Sequence, residues 1–256
     1  VAVVFAHDES TEGHDRTSLS LPDDQDTLIA AVASANPRTV VVLNTGTPVL
    51  MPWLPGVRAV LQTWYAGQEG GSATAALLAG DDNPGGRLPV TFPRRAEDAP
   101  TAQPARYPGI DGRQEYTEGI FFGYRGYDQA GVAPLFPFGH GLSYTRFAYG
   151  ALRATQQNGR VDVTFTVRNR GTRAGTEVAQ VYVEPPPNAP VPAPRAALAG
   201  FARLALRPGE TRTVTVSLDA RTLEYWSDGD RTWVPLGGRP FFVGASSRDV
   251  RLRGSF

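Results

Sequence analysis

The spacing of apolar residues changes once along this chain, and that change limits the folds open to it. From about residue 136 the pattern is strict alternation. Val161, Val163, Phe165 and Val167 occupy every second position with Asp162, Thr164 and Thr166 between them, the signature of a strand buried on one face. Val178 to Val183 and Val214 to Leu218 repeat the style, and Asn169-Arg-Gly171 and Arg207-Pro-Gly-Glu210 supply turns. Short strands at this spacing with no helical pattern predict a β-sandwich over 136–256. Pro185 to Pro194 reads as an extended, exposed loop between two of its strands.

Residues 1–93 read differently. Val1 to Phe5 is a strand-like run and is expected to be buried. Pro22 with Asp23 and Asp24 marks a helix start, because proline suits the first turn and acids suit the positive end of the helix dipole. Leu28, Ile29, Val32 and Ala33 follow at helical spacing until Asn36-Pro37 stops them. Thr39 to Leu43 and Val57 to Trp64 are further strands, and Ser72 to Ala79, closed by Gly80, is a second helix. Strand, helix, strand, strand, helix describes part of an α/β layer structure. Three strands make a small sheet, so further strands are expected upstream of Val1. Between the two regions, residues 94–135 lack a period and are rich in proline and glycine. Tyr116, Phe121, Phe122, Tyr124 and Tyr127 are too many aromatics for a free linker. The segment is expected to drape over its neighbours.

Composition excludes several chemistries. Twenty-five basic and 25 acidic residues cancel, leaving no electrostatic footprint for nucleic acid or an anionic membrane. Without cysteine there is no thiolate nucleophile, disulfide or Cys-ligated zinc, and its absence is compatible with either redox compartment, so location stays open. No apolar run approaches the ~20 residues of a membrane-spanning helix. All the basic residues are arginine, read first as a mark of genome composition.

The densest cluster of functional groups is His7-Asp-Glu-Ser-Thr-Glu-Gly-His-Asp-Arg16, placed just after the first strand. Loops at the carboxyl ends of strands in open α/β sheets face the ligand crevice. Gly13 permits a sharp turn beside Glu12. Three readings of the loop stand together. It is a solvated charged loop with Arg16 neutralising a neighbour, a divalent-cation site built from carboxylates and histidines, or the carrier of a catalytic carboxylate that needs a partner across the substrate. No zinc spacing such as HExxH, no GxSxG elbow and no P-loop is present. Gly67-Gln-Glu-Gly-Gly71 lacks the lysine of a phosphate cradle and reads as helix entry. Trp53, Trp64, Trp226 and Trp233 read as core or interface residues before sugar platforms.

A series of ordered motifs carries more information. Glu12-Gly-His-Asp-Arg16, Leu21-Pro-Asp-Asp-Gln25, Val41-Val-Leu-Asn-Thr-Gly-Thr-Pro48, Trp64-Tyr-Ala-Gly-Gln-Glu-Gly-Gly71, Asn83-Pro-Gly-Gly-Arg-Leu-Pro89, Tyr116-Thr-Glu-Gly119, Gly123-Tyr-Arg125 and Pro137-Phe-Gly-His-Gly-Leu-Ser-Tyr144 occur in sequence. Gln180-Val-Tyr-Val183, Leu198-Ala-Gly-Phe201, Pro208-Gly-Glu210 and Val243-Gly-Ala-Ser-Ser247 continue them. The series resembles the C-terminal half of glycoside hydrolase family 3, the β-glucosidases and β-xylosidases. The resemblance implies α/β plus all-β architecture, a truncated α/β/α sandwich followed by a fibronectin type III-like β-sandwich. It implies a missing N-terminal (β/α)8 barrel that carries the nucleophile, an acid/base glutamate at Glu12 with Glu9 as runner-up, and neither cofactor nor metal. The substrate it implies is a β-glucoside or related oligosaccharide hydrolysed from the non-reducing end, with β-xyloside second. The chain alone is expected to be inactive. The competing expectation is a non-catalytic structural or carbohydrate-binding module.

Overall fold

The computed structural model describes residues 1–256, and both halves foretold by the change of period are present. In the first, β1 (Ala2–His7), β2 (Thr39–Asn44) and β3 (Ala59–Gln62) form a parallel three-stranded sheet in that order. Helix α1 (Gln25–Ala35) lies between β1 and β2, and α2 (Gly70–Ala79) follows β3. β2 is the central strand, and its Val41, Val42 and Leu43 are wholly buried, as its unbroken β-branched run requires. α1 begins at Gln25, later than its proline signal, because Asp23 and Asp24 both take positive φ and cannot join a right-handed helix. β3 stops at Gln62, short of the expected Trp64, which also has positive φ.

β1 departs from expectation. Only Ala6 is fully buried, while Val3 is 41% and Phe5 60% exposed. Within these 256 residues β1 pairs with β2 alone and has one face uncovered. Its last residue is held by a side chain in place of a neighbouring strand. The His7 N–H donates to Gln25 Oε1 at 2.9 Å, and Gln25 Nε2 donates to the His7 carbonyl at 3.0 Å. Gln25 thus satisfies both backbone groups that an edge residue leaves open.

The intervening segment contains one short helix, α3 (Tyr124–Gln129). Tyr127 is buried, and Tyr124 stacks on Phe138 at 4.8 Å and meets Tyr182 edge-on at 6.1 Å. The Tyr124 hydroxyl also accepts a bond from the Leu198 N–H at 2.9 Å. These contacts pack α3 against Phe138, Tyr182 and Leu198, whereas Tyr116 is 75% exposed.

The second half is a sandwich of antiparallel sheets. One sheet has the order β12 (Val250–Ser255), β11 (Pro240–Gly244), β6 (Gly175–Val183), β7 (Ala197–Leu206), and the other the order β4 (Phe147–Gln157), β5 (Arg160–Asn169), β8 (Thr211–Leu218). The alternation in β5 does what it predicts. Val161, Val163, Phe165 and Val167 are fully buried and meet Val181, Val183, Phe241 and Val243 of the facing sheet. β9 (Glu224–Ser227) and β10 (Thr232–Pro235) form a separate hairpin, on which Trp226 and Trp233 pair across the strands at 5.6 Å, both half-exposed. The Arg221 guanidinium covers Trp233 at 4.1 Å. Trp53 is a core residue whose Nε1 donates to Asp26 Oδ1 at 2.6 Å.

Candidate acid/base loop

The charged segment leaves the sheet at the end of β1 and returns at Ser20. Its feet are fixed by a buried ion pair. Asp8 Oδ2 accepts from Arg16 Nη1 at 2.7 Å, with the two side chains 1% and 13% exposed. Asp8 Oδ1 accepts from the Tyr65 hydroxyl at 2.6 Å and from the Gly46 N–H at 3.0 Å. Arg16 donates further to Thr47 Oγ1 and to the Ser20 carbonyl, each at 2.7 Å. The Tyr107 hydroxyl donates to the Arg16 carbonyl at 3.0 Å, bringing the segment after residue 93 against this loop. Of the four acids grouped by sequence, Asp8 is thus already satisfied, and Arg16 is committed to it.

Between these feet the chain reverses at Thr11–His14, where the His14 N–H donates to the Thr11 carbonyl at 3.4 Å. Gly13 has φ 84°, the backbone that the third position of a type II turn demands. Glu12 is therefore the residue at the tip. Its carboxylate and that of Glu9 are exposed and enter no ion pair. Asp15, His7 and His14 are exposed as well. Nowhere do three or more His, Asp or Glu side chains converge as a metal site. No helix is long and apolar enough to cross a membrane.

The other concavities offer less chemistry. A groove of about 430 Å³, bordered by Pro48, Pro89, Pro100, Phe122, Tyr124 and Phe138, has Arg125 as its sole charged lining residue and no carboxylate. His140 stacks on Phe136 at 5.2 Å. Burial, reinforced by the Arg87 charge and opposed by Asp249, holds its pKa below the ordinary histidine value. It lies among packing residues. Gly70 and Gly71 begin α2, so the glycine-rich stretch before it is helix entry. Sequence reasoning missed Tyr65, Gly46 and Thr47 as supports of the loop. All three lie inside motifs quoted above, and no one-dimensional signal ties them to Asp8.

The exposed carboxylate thus lies on a turn at the carboxyl end of an α/β layer, and a β-sandwich follows. Residues 1–144 match the Glycosyl hydrolase family 3 C-terminal domain and residues 177–247 the fibronectin type III-like domain. The chain belongs to glycoside hydrolase family 3. It is 49% identical over 247 residues to a beta-glucosidase of Rhizobium radiobacter, covering 94% of this chain and 30% of that protein. With the thermostable beta-glucosidase B of Acetivibrio thermocellus it shares 43% identity over 263 residues, covering 100% of this chain and 34% of that one. Among solved structures, DesR, a beta-glucosidase from Streptomyces venezuelae in complex with D-glucose, superposes with a TM-score of 0.97 at 50% identity, covering all of this chain and 33% of its own. Beta-glucosidase 3B from Thermotoga neapolitana, in complex with alpha-D-glucose, gives 0.92 at 37% identity, covering all of this chain and 37% of its own. The chain spans about a third of the length of these relatives.

Proposed function

We propose that this chain is the part of a retaining β-glucosidase that supplies the acid/base carboxylate, Glu12, to a nucleophile carried on a barrel domain outside these residues. The observation that carries the reading is the placement of Glu12. It is an unpaired, exposed carboxylate at the tip of a turn, at the end of the sheet where ligands of α/β folds bind. Glu9 has a free carboxylate too, but it sits next to the anchored Asp8 at the foot of the loop, farther from the tip.

In a retaining mechanism two carboxyl groups stand ~5–5.5 Å apart across the glycosidic bond. As the nucleophile attacks the anomeric carbon, protonated Glu12 gives its proton to the leaving oxygen. Glu12, now a carboxylate, takes a proton from water as that water attacks the glycosyl-enzyme, and the nucleophile leaves. General acid/base work of this kind contributes about 10²–10⁴ in rate. An uncharged sugar is consistent with a loop whose buried charges are already paired. The relatives named as beta-glucosidases favour a glucoside over a xyloside.

The test is Glu12→Ala in the full-length enzyme. Turnover of unactivated β-glucosides is expected to collapse, and turnover of an activated aryl β-glucoside, whose leaving group needs no proton, is expected to recover partly when azide replaces water in the attack on the glycosyl-enzyme. Unchanged turnover, or collapse with azide recovery only in Glu9→Ala, refutes the assignment. The 256-residue chain by itself is expected to release no nitrophenol from an aryl β-glucoside, and measurable release would show that it holds a complete site.

A further inference from the structure

We infer that Asp8, Arg16 and Tyr65 form a latch that sets the reach of the acid/base loop, and that they are positioning residues for proton transfer to the leaving group. The inference rests on the reading of this loop as the acid/base carrier. Its basis is the distribution of bonds along the loop. Both carboxylate oxygens of Asp8 are occupied, one by Arg16 and one by Tyr65 and the Gly46 N–H. With its side chain 1% exposed, this carboxylate is out of a substrate's reach, so its role is mechanical. Arg16 uses its two terminal nitrogens on three acceptors, Asp8, Thr47 and the Ser20 carbonyl.

The partners belong to the rigid part of the molecule. Gly46 and Thr47 follow β2, and Tyr65 follows β3. The ion pair joins the two ends of the loop to each other, while the other bonds tie both ends to the sheet. Only the residues between Asp8 and Arg16, with Glu12 at the turn, remain free to approach a sugar. A closed base shortens the effective loop and lowers the entropy lost when its tip is ordered. The pair is dry enough to resist screening, unlike an exposed ion pair. Gly46 is part of the device. A β-carbon there would lie 2.8 Å from the Tyr65 ring, so only glycine lets that ring pack flat enough to reach Asp8.

A general acid must deliver its proton within hydrogen-bond distance of the leaving oxygen, and a displacement of about 1 Å can cost about 10²-fold in rate. Loss of the latch therefore has a signature that general loss of structure lacks. A poor leaving group such as an alkoxide needs the proton. A dinitrophenolate leaves without it, so its kcat/KM, which reports steps through glycosylation, is spared.

The experiment measures kcat/KM for methyl β-glucoside and 2,4-dinitrophenyl β-glucoside in the full-length enzyme and its Arg16→Ala, Arg16→Lys and Tyr65→Phe variants. Arg16→Ala is expected to lose about 10²-fold on the methyl glucoside and less than about threefold on the dinitrophenyl glucoside. Arg16→Lys keeps the charge but not the fork, and is expected to recover part of the loss. Tyr65→Phe keeps the ring and removes the hydroxyl that faces Asp8 Oδ1 and the Asp8 carbonyl, with a smaller loss of the same selectivity, and it reads the latch even if Arg16→Ala fails to fold. Equal losses on both substrates, or no loss in either Arg16→Ala or Tyr65→Phe, overturn the inference. Hydrogen exchange of the peptide spanning Glu9–Asp15 separates this failure from failure of the functional reading. Faster exchange in Tyr65→Phe supports the latch whatever Glu12→Ala does, and unchanged exchange refutes it even if Glu12 proves to be the acid/base.

Discussion

The two halves of the molecule are joined by a buried ion pair whose removal has a computable consequence. Arg87 lies after α2, and its Nη2 donates to Glu177 Oε1 on β6 at 2.8 Å, with the side chains 7% and 6% exposed. The same Glu177 oxygen accepts from the Val178 N–H at 2.8 Å, and Arg87 Nη1 donates to the Gly86 carbonyl at 2.9 Å. The Arg87 Nε is buried without a partner. The surroundings are dry. Burial, then the Glu177 charge, drive the nearby Tyr149 hydroxyl far above its ordinary pKa. Replacing Arg87 by Met leaves the Glu177 charge buried with one backbone donor, and breaking such a pair costs about 3–5 kcal/mol. The surviving Val178 bond places the expectation near the lower end, about 3 kcal/mol. For a chain of this size that corresponds to a fall in Tm of about 6–12 °C. The R87M/E177M double variant removes both charges together and is expected to return within about 1 kcal/mol of the parent, or above it. The assay is a double-mutant cycle by calorimetry on the parent, both single variants and the double, following the α/β and sandwich transitions separately if they resolve. An R87M protein that melts with the parent, or a double variant no more stable than R87M, refutes the reasoning.

Two further outcomes are expected. Phe165 is wholly buried in the sandwich core, so Phe165→Ala is expected to cost about 3–5 kcal/mol through lost transfer energy and a cavity. A lower denaturant midpoint with an unchanged m-value is the check, and an unshifted midpoint would place the residue outside the cooperative core. His140 has its pKa lowered chiefly by burial, so the folded state binds its proton less readily than the unfolded state does. Its contribution to stability is full above the usual histidine value and is lost as pH falls through that value toward the lowered one. Tm is expected to drop as pH falls from above the ordinary histidine value to below it, and His140→Gln is expected to flatten that slope. An identical slope in His140→Gln would mean that another group sets it.

Much of the fold could be read in one dimension because two periods carry it. The alternation in β5 and the unbroken apolar run in β2 each report the number of buried faces, and the structure returns both. β1 shows the limit of that reading. Val3 and Phe5 are apolar and are uncovered within these 256 residues, which span about a third of the relatives' length; a strand's composition reports the surface it can bury and not which part of the protein covers it. The start of α1 reads too early in the sequence for a local reason, since its proline and acids signal a start but not the positive φ of Asp23 and Asp24. The loop was legible as a cluster of acids and illegible as a site. Asp8 and Glu12 are alike in type and close in sequence, but one is buried and doubly anchored while the other is free. The difference comes from Arg16, close by in sequence, and from Tyr65 and Gly46, whose proximity to Asp8 is purely three-dimensional.

Arginine usage gains a physical meaning from the same contacts. As composition, an absence of lysine among 25 basic residues reads as a codon bias. At Arg16 the side chain joins a carboxylate, a hydroxyl and a backbone carbonyl from separate segments. At Arg87 it spans a backbone carbonyl on one half of the molecule and a carboxylate on the other. A lysine ammonium has three donors on one atom and cannot reach acceptors spread around a planar fork. Whatever mutational pressure supplied the arginines, these two positions use the guanidinium's shape as well as its charge. A half-exposed, single-point pair such as Arg212–Glu210, one Nη2–Oε1 contact at 2.6 Å, has no such geometry to lose. Arginine-to-lysine exchange is therefore expected to be tolerated at Arg212 and costly at Arg16 and Arg87, a contrast that genome composition alone does not foresee.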